Sequence, residues 1–106
     1  MNTLEDLINV RLKELDEEMF TKHSRAITLA NIVDVIARAK RRGENTCILR
    51  DLGNDPDIDK QLCERLVDHV NRLMYPDGCN HKWNYFVKWV WNPCPPGRWQ
   101  IVIKIL

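Results

Sequence analysis

No stretch of this chain approaches the roughly 20 consecutive apolar residues that a membrane-spanning helix needs. The first residues also lack the basic-then-apolar layout of a secretory signal, so the sequence predicts a protein that stays in the cytoplasm. Charge of one sign is missing too. Sixteen Lys and Arg against fifteen Asp and Glu leave +1, too little for a global field that would draw the chain onto nucleic acid, a membrane or an acidic substrate. Glycine is scarce, and Gly43, Gly53, Gly78 and Gly97 each stand alone beside turn residues, which excludes a phosphate-cradling loop.

Tight cysteine pairs are absent as well. Cys47, Cys63, Cys79 and Cys94 are an even set, but without a secretory signal they read as reduced thiols. A zinc site needs four convergent thiolates or imidazoles, usually offered as pairs separated by two residues, and no such pair occurs. Cys79 and His81 precede a strand whose far end leads to Cys94, and nine extended residues at about 3.3 Å each separate them by some 30 Å. Cys63 and His69 diverge by about 120° around a helix, so Cys63 reads as core and His69 as the edge of an apolar stripe. The sequence predicts no metal and no cofactor.

Nucleophilic catalysis has no better footing. Cys94, between Pro93 and Pro95, has no nucleophile elbow, oxyanion-type glycine loop or helix N-terminus to lower its pKa. The run Asp55, Asp57, Asp59 resembles a calcium loop, but starting the loop at Asp55 places Lys60 at the turn glycine and Leu66 at the bidentate glutamate, so the match fails. The expectation is that the protein is not an enzyme.

What is present is a chain of 106 residues, 44% hydrophobic and 29% charged, the size and balance of one globular domain. Its clearest element is C-terminal. Residues 83–91 (WNYFVKWVW) and 99–106 (WQIVIKIL) are β-rich runs around a proline-glycine loop, the pattern of an antiparallel hairpin. Alternation puts Trp83, Tyr85, Val87, Trp89 and Trp91 on one face and Asn84, Phe86, Lys88 and Val90 on the other. In the second strand Trp99, Ile101, Ile103 and Ile105 share a face, and Gln100, Val102, Lys104 and Leu106 share the opposite one. Matching the apolar faces predicts Trp91 across from Trp99, Trp89 from Ile101 and Val87 from Ile103.

Upstream, Thr3 is the expected N-cap of an amphipathic helix reaching about Phe20, with Leu4, Ile8, Leu12, Leu15 and Met19 on one stripe. Its polar face is net acidic, which argues against a membrane surface and for core packing or a helix partner. Thr21 to Arg25 reads as a turn. A second helix, capped by Ser24 or Thr28, runs to Arg42 with Leu29, Ile32, Val33, Ile36 and Ala37 as its stripe, and Gly43 suits the left-handed residue that follows. Arg38, Lys40, Arg41 and Arg42 point around the axis and read as cations at a helix C-terminus, with a phosphate-tracking patch as the alternative.

Thr46 to Arg50 is a strand candidate, and Asp51 to Asp59 reads as loop. A third helix runs from about Asp59 to Met74 with Leu62, Cys63, Leu66, Val67, Val70, Leu73 and Met74 in one sector, capped by Asp57 or Asp59. The fold expected is α+β: three helices packed on a small antiparallel sheet dominated by the C-terminal β-hairpin. One domain covers 1–106, with a helical pair over 1–43 and strand, helix and hairpin over 44–106.

The hairpin is the best functional candidate. Trp91, Trp99, Arg98, Lys88, Lys82 and Lys104 are the candidate binding residues, for a protein partner or for nucleic acid. Tryptophans near these cations would stack unpaired bases if their face were open. The competing reading buries the same aromatics as core, and a mixed case leaves only Trp91 and Trp99 accessible as anchors for a protein.

The order of elements from Ile36 onward, with IARAKRRGENTCIL, a helix ending near Met74, then WNYFVKWVW and WQIVIKIL, resembles small uncharacterised α+β proteins of tailed phages and large DNA viruses. The longer 51–59 loop and the proline-rich hairpin turn depart from that pattern. The resemblance implies a viral accessory or virion protein acting in the host cytoplasm by contact with host or virion proteins, with self-association as a further option. The expected function is thus a non-enzymatic interaction module, and nucleic-acid binding is the alternative.

Overall fold

The structure is a computed structural model that describes residues 3–76 and 84–106. Its elements are helix α1 (Thr3–Ala26), helix α2 (Leu29–Arg41), strand β1 (Thr46–Gly53), helix α3 (Lys60–Met74), strand β2 (Tyr85–Asn92) and strand β3 (Arg98–Ile105). The three strands form one antiparallel sheet in the order β1-β3-β2, so the C-terminal strand is central. This is the expected α+β architecture.

The hairpin pairs as alternation requires. Trp91 lies opposite Trp99, Trp89 opposite Ile101 and Val87 opposite Ile103, because any one-residue slip would carry the apolar set to the wrong face. Val87, Ile101 and Ile103 are buried in one core with Leu62, Cys63, Leu66 and Val70 of α3, which lies on β2 and β3, and with Ile32 and Ala39 of α2, which lies on β1. On the reverse face Gln100 and Val102 are also buried, although Val102 lies outside that core. They sit on the central strand, shielded by neighbours on both sides.

β1 is longer than the sequence suggested. Past its expected end at Arg50 the ladder continues with Asp51 and Gly53 opposite Gln100 and Trp99, with irregularities between Ile48 and Arg50 and between Asp51 and Gly53. The second of these brings Leu52 into the core, so a segment rich in turn residues is held as strand by one apolar side chain. Bulges of this kind also blunt an exposed sheet edge.

α1 corrects the sequence reading. It does not stop near Phe20 but continues through Thr21–Arg25 to Ala26. That stretch holds no glycine or proline to break it, Ser24 Oγ donates to the Thr21 carbonyl, and the last turn buries His23. The chain turns at Ile27, whose N–H donates to the Ser24 carbonyl. Thr28 then caps α2 by accepting from the Asn31 N–H at 3.2 Å, while the Asn31 side chain donates back to the Ala26 carbonyl at 2.8 Å.

α2 is rotated from its expected orientation. Ile32 and Ala39 are buried and Val35 and Ile36 are partly buried, whereas Leu29 and Val33 are exposed. The methyl side chain of Ala39 lets the helix approach the sheet closely, and that contact outweighs the larger side chains on its flank. Gly43 takes the expected left-handed conformation. Asp59 is the N-cap of α3, accepting from Leu62 N–H at 2.8 Å.

Candidate interaction surfaces

The C-terminal part of α1 lies on α3. Arg65 reaches across to pair with Glu17 at 3.0 Å and lies 4.1 Å from the centre of the Phe20 ring, and His69 meets the same ring edge-on. Beyond this anchorage the helix leaves the body. A helix rises about 1.5 Å per residue, so the sixteen residues from Thr3 to Glu18 extend some 24 Å, and every one of them is exposed. The molecule measures 58 × 38 × 20 Å with a radius of gyration of 16.2 Å, well above the about 13 Å of a compact chain of this length.

The exposed part carries the apolar stripe. Leu4 is 65% exposed, Leu12 53%, Leu15 43% and Ile8 42%; only Met19 and Phe20 reach the core of their own chain. Core packing, one of the two readings of this stripe, therefore applies to its last turn alone. Beside the stripe runs a groove of about 320 Å³ lined by Leu12, Leu15 and Met19 together with Asp16, Glu18, Lys22 and Asp57. On the neighbouring flank Arg11 pairs with Glu14 at 3.0 Å and with Glu18 at 3.2 Å.

The hairpin residues do not converge. Trp89 and Trp99 are half-buried and packed against the core, their rings 5.5 Å apart, and Trp91 is 46% exposed. Lys88 and Lys104 are exposed on the reverse face of the sheet, opposite Val102 and Phe86. Arg98 is engaged by Asp51 at 2.9 Å. Lys82, Trp83, Cys79 and His81 lie outside the described residues. Alternation thus puts the described cations of the hairpin on one face and its tryptophans on the other, whereas a base-stacking platform needs them together. The basic end of α2 is likewise tied locally: Arg38 to Asp34, Arg42 to Glu44, and Lys40 over the Tyr85 ring at 5.0 Å.

One cluster has no signature in the sequence. His23 is 4% exposed, and its Nδ1 accepts from Arg50 Nε at 3.3 Å, 27 positions along the chain. Desolvation, then the charges of Arg50 and Lys22, lower the pKa of this imidazole, with Asp55 opposing. It lines an open cleft of about 450 Å³ with Lys22, Arg50, Asp51 and Arg98. Asp51 is the acidic residue of that lining, set against Lys22, Arg50 and Arg98, so the cleft is mixed in sign with cations in excess. Although burial opposes it, hydrogen bonds from Arg98 and from the Gly53 N–H hold the Asp51 carboxyl below its ordinary pKa.

Burial pushes the Cys63 thiol up to about 11, with Asp59 and Glu64 adding to the shift, and burial likewise raises Cys47. Cys94 is exposed. Among the described residues no group of three His, Cys, Asp or Glu side chains is placed to hold a metal ion, and no helix is long and apolar enough to cross a membrane.

The class defined by these features is an α+β domain with a projecting amphipathic helix. Compared with protein-family models, curated proteins and solved structures, the chain matches none.

Proposed function

We propose that this chain is a non-enzymatic interaction module that works by protein–protein contact, in the manner of a viral or phage accessory or virion protein, with α1 as its principal docking element. The observation that carries the reading is the apolar stripe of Leu4, Ile8, Leu12 and Leu15, which stays in water along the projecting part of α1. A helix keeps such a face when another apolar surface covers it. Covering each half-exposed Leu or Ile is worth about 1 kcal/mol. Association itself costs roughly 4 to 15 kcal/mol, so the stripe must be joined by its flanks and by other exposed groups such as Leu7 or Trp91.

The nucleic-acid alternative is weakened by the separation of Trp91 from Lys88 and Lys104 on opposite faces. Two titrations test the reading. At concentrations where the chain is monomeric, the wild type is expected to enhance the fluorescence of an apolar dye such as anilinonaphthalene sulfonate, and an Ile8→Glu/Leu12→Glu variant with unchanged circular dichroism is expected to lose that enhancement. Equal dye binding by both proteins would overturn the assignment to α1. Single-stranded DNA is expected to leave tryptophan emission unchanged at low salt; quenching reversed by added salt would put nucleic-acid binding first.

A further inference from the structure

We infer that the surface covering α1 is the α1 of a second copy of this chain, packed antiparallel. The inference rests on the interaction reading above and names its partner. The groove beside the stripe supplies the first argument. It is lined by Leu12, Leu15 and Met19 together with Asp16, Glu18, Lys22 and Asp57, and it opens beside the same helix that carries Leu4 and Ile8 exposed to solvent. An antiparallel partner brings its own Leu4 and Ile8 to this groove and receives the reciprocal pair in return, the self-complementary contact that two-fold symmetry requires.

Charge order supplies the second argument. α1 is acidic in its first turn, at Glu5 and Asp6, and carries exposed cations near its other end, at Lys22 and Arg25, so antiparallel packing sets acidic ends beside basic ones. The register that places Leu12 against Leu15 of the second copy also brings Ile8 to the part of the groove that Met19 lines and sets Glu5 opposite Lys22, while each Arg11 stays paired with Glu14 and Glu18 of its own helix. A parallel pair would instead gather the two acidic first turns, Glu5 and Asp6 of each copy, at one end, and like charges so placed repel.

Sedimentation of the full chain over a concentration series tests association, and disulfide trapping tests direction. The expected result is a mass rising to twice that of the chain for the wild type and staying at one chain for Ile8→Glu/Leu12→Glu. A monomer at all concentrations overturns the inference. In that event dye binding to the wild type alone keeps the broader reading for a different partner, and its absence removes both. With Cys79 and Cys94 changed to serine, an equimolar mixture of Leu12→Cys and Leu15→Cys chains is expected to form mainly the mixed disulfide. Predominant like-to-like bridges would mean a parallel pair and would overturn the antiparallel assignment.

Discussion

Gly97 and Trp91 are packed so closely that a Cβ added to Gly97 would stand 2.7 Å from Cζ2 of the indole. The glycine closes the hairpin loop at φ +75°, in the left-handed region that side chains disfavour. Two costs therefore act together on Gly97→Ala, backbone strain and steric overlap with a ring already wedged at 5.0 Å from Trp99. The substitution is expected to destabilise the chain by about 1 to 3 kcal/mol in urea unfolding. Combining it with Trp91→Leu should leave only the backbone part, so the double variant should fall short of the sum of the singles. Strict additivity would show that the contact is not made.

The hairpin was legible because five apolar residues on one strand and four on the next admit a single register, and Trp91 opposite Trp99 followed from counting in twos. The end of α1 was not. Thr21 to Arg25 looks like a turn by composition, and what keeps it helical is the burial of His23 beside Arg50, a contact made only by the folded chain. α2 misled in the opposite way, since hydrophobicity selects Leu29 and Val33 while the sheet selects Ala39, whose small size no hydropathy pattern rewards. The α1 stripe was visible from Leu4 to Met19, but no local feature shows that the helix outruns its body. Alternation alone already set Lys88 apart from the tryptophans, and the structure adds that Asp51 engages Arg98.

The buried imidazole gives a pH dependence of definite sign. Desolvation first, then Arg50 and Lys22, lower the pKa of His23 below the ordinary 6.5, so the unfolded chain binds this proton more readily than the folded one. Stability from this group is complete above about pH 6.5 and is lost as the pH falls below it toward the folded-state value. Urea midpoints are expected to fall between pH 7.5 and pH 5, and His23→Gln is expected to flatten that part of the profile. Asp51, held low by Arg98 and Gly53, contributes its own loss only in the carboxylate range. An unchanged slope in the His23 variant would assign the effect elsewhere.

Thiol chemistry should separate the cysteines by burial. In a Cys79→Ser background at neutral pH, Cys94 is expected to react with a disulfide reagent at the rate of a model thiol, as exposure without an activating neighbour dictates. Cys63, raised to about 11 and fully enclosed, and Cys47, whose Sγ lies 3.8 Å from the Ile103 carbonyl, should react only when the chain opens. Counting released thiolate before and after adding denaturant checks this. One fast thiol natively and three in denaturant is the expected outcome, and a native Cys94 much faster than the model compound would reopen the catalytic reading.

Two leucines of the same chemistry should behave oppositely. Leu66 is fully buried between α3 and the sheet, and truncation to alanine leaves a cavity there, so Leu66→Ala is expected to cost about 2 to 5 kcal/mol at any protein concentration. Leu12 is 53% exposed on the projecting helix, and at concentrations where the chain is monomeric Leu12→Ala should lie within about 0.5 kcal/mol of wild type. Self-association changes the second value and leaves the first alone. If copies pair through α1, the wild type gains stability with concentration by mass action while Leu12→Ala gains less, so the gap between them widens as the protein is concentrated. Urea melts at two concentrations a hundredfold apart measure that gap directly, and a gap that stays constant would mean that Leu12 takes no part in any association.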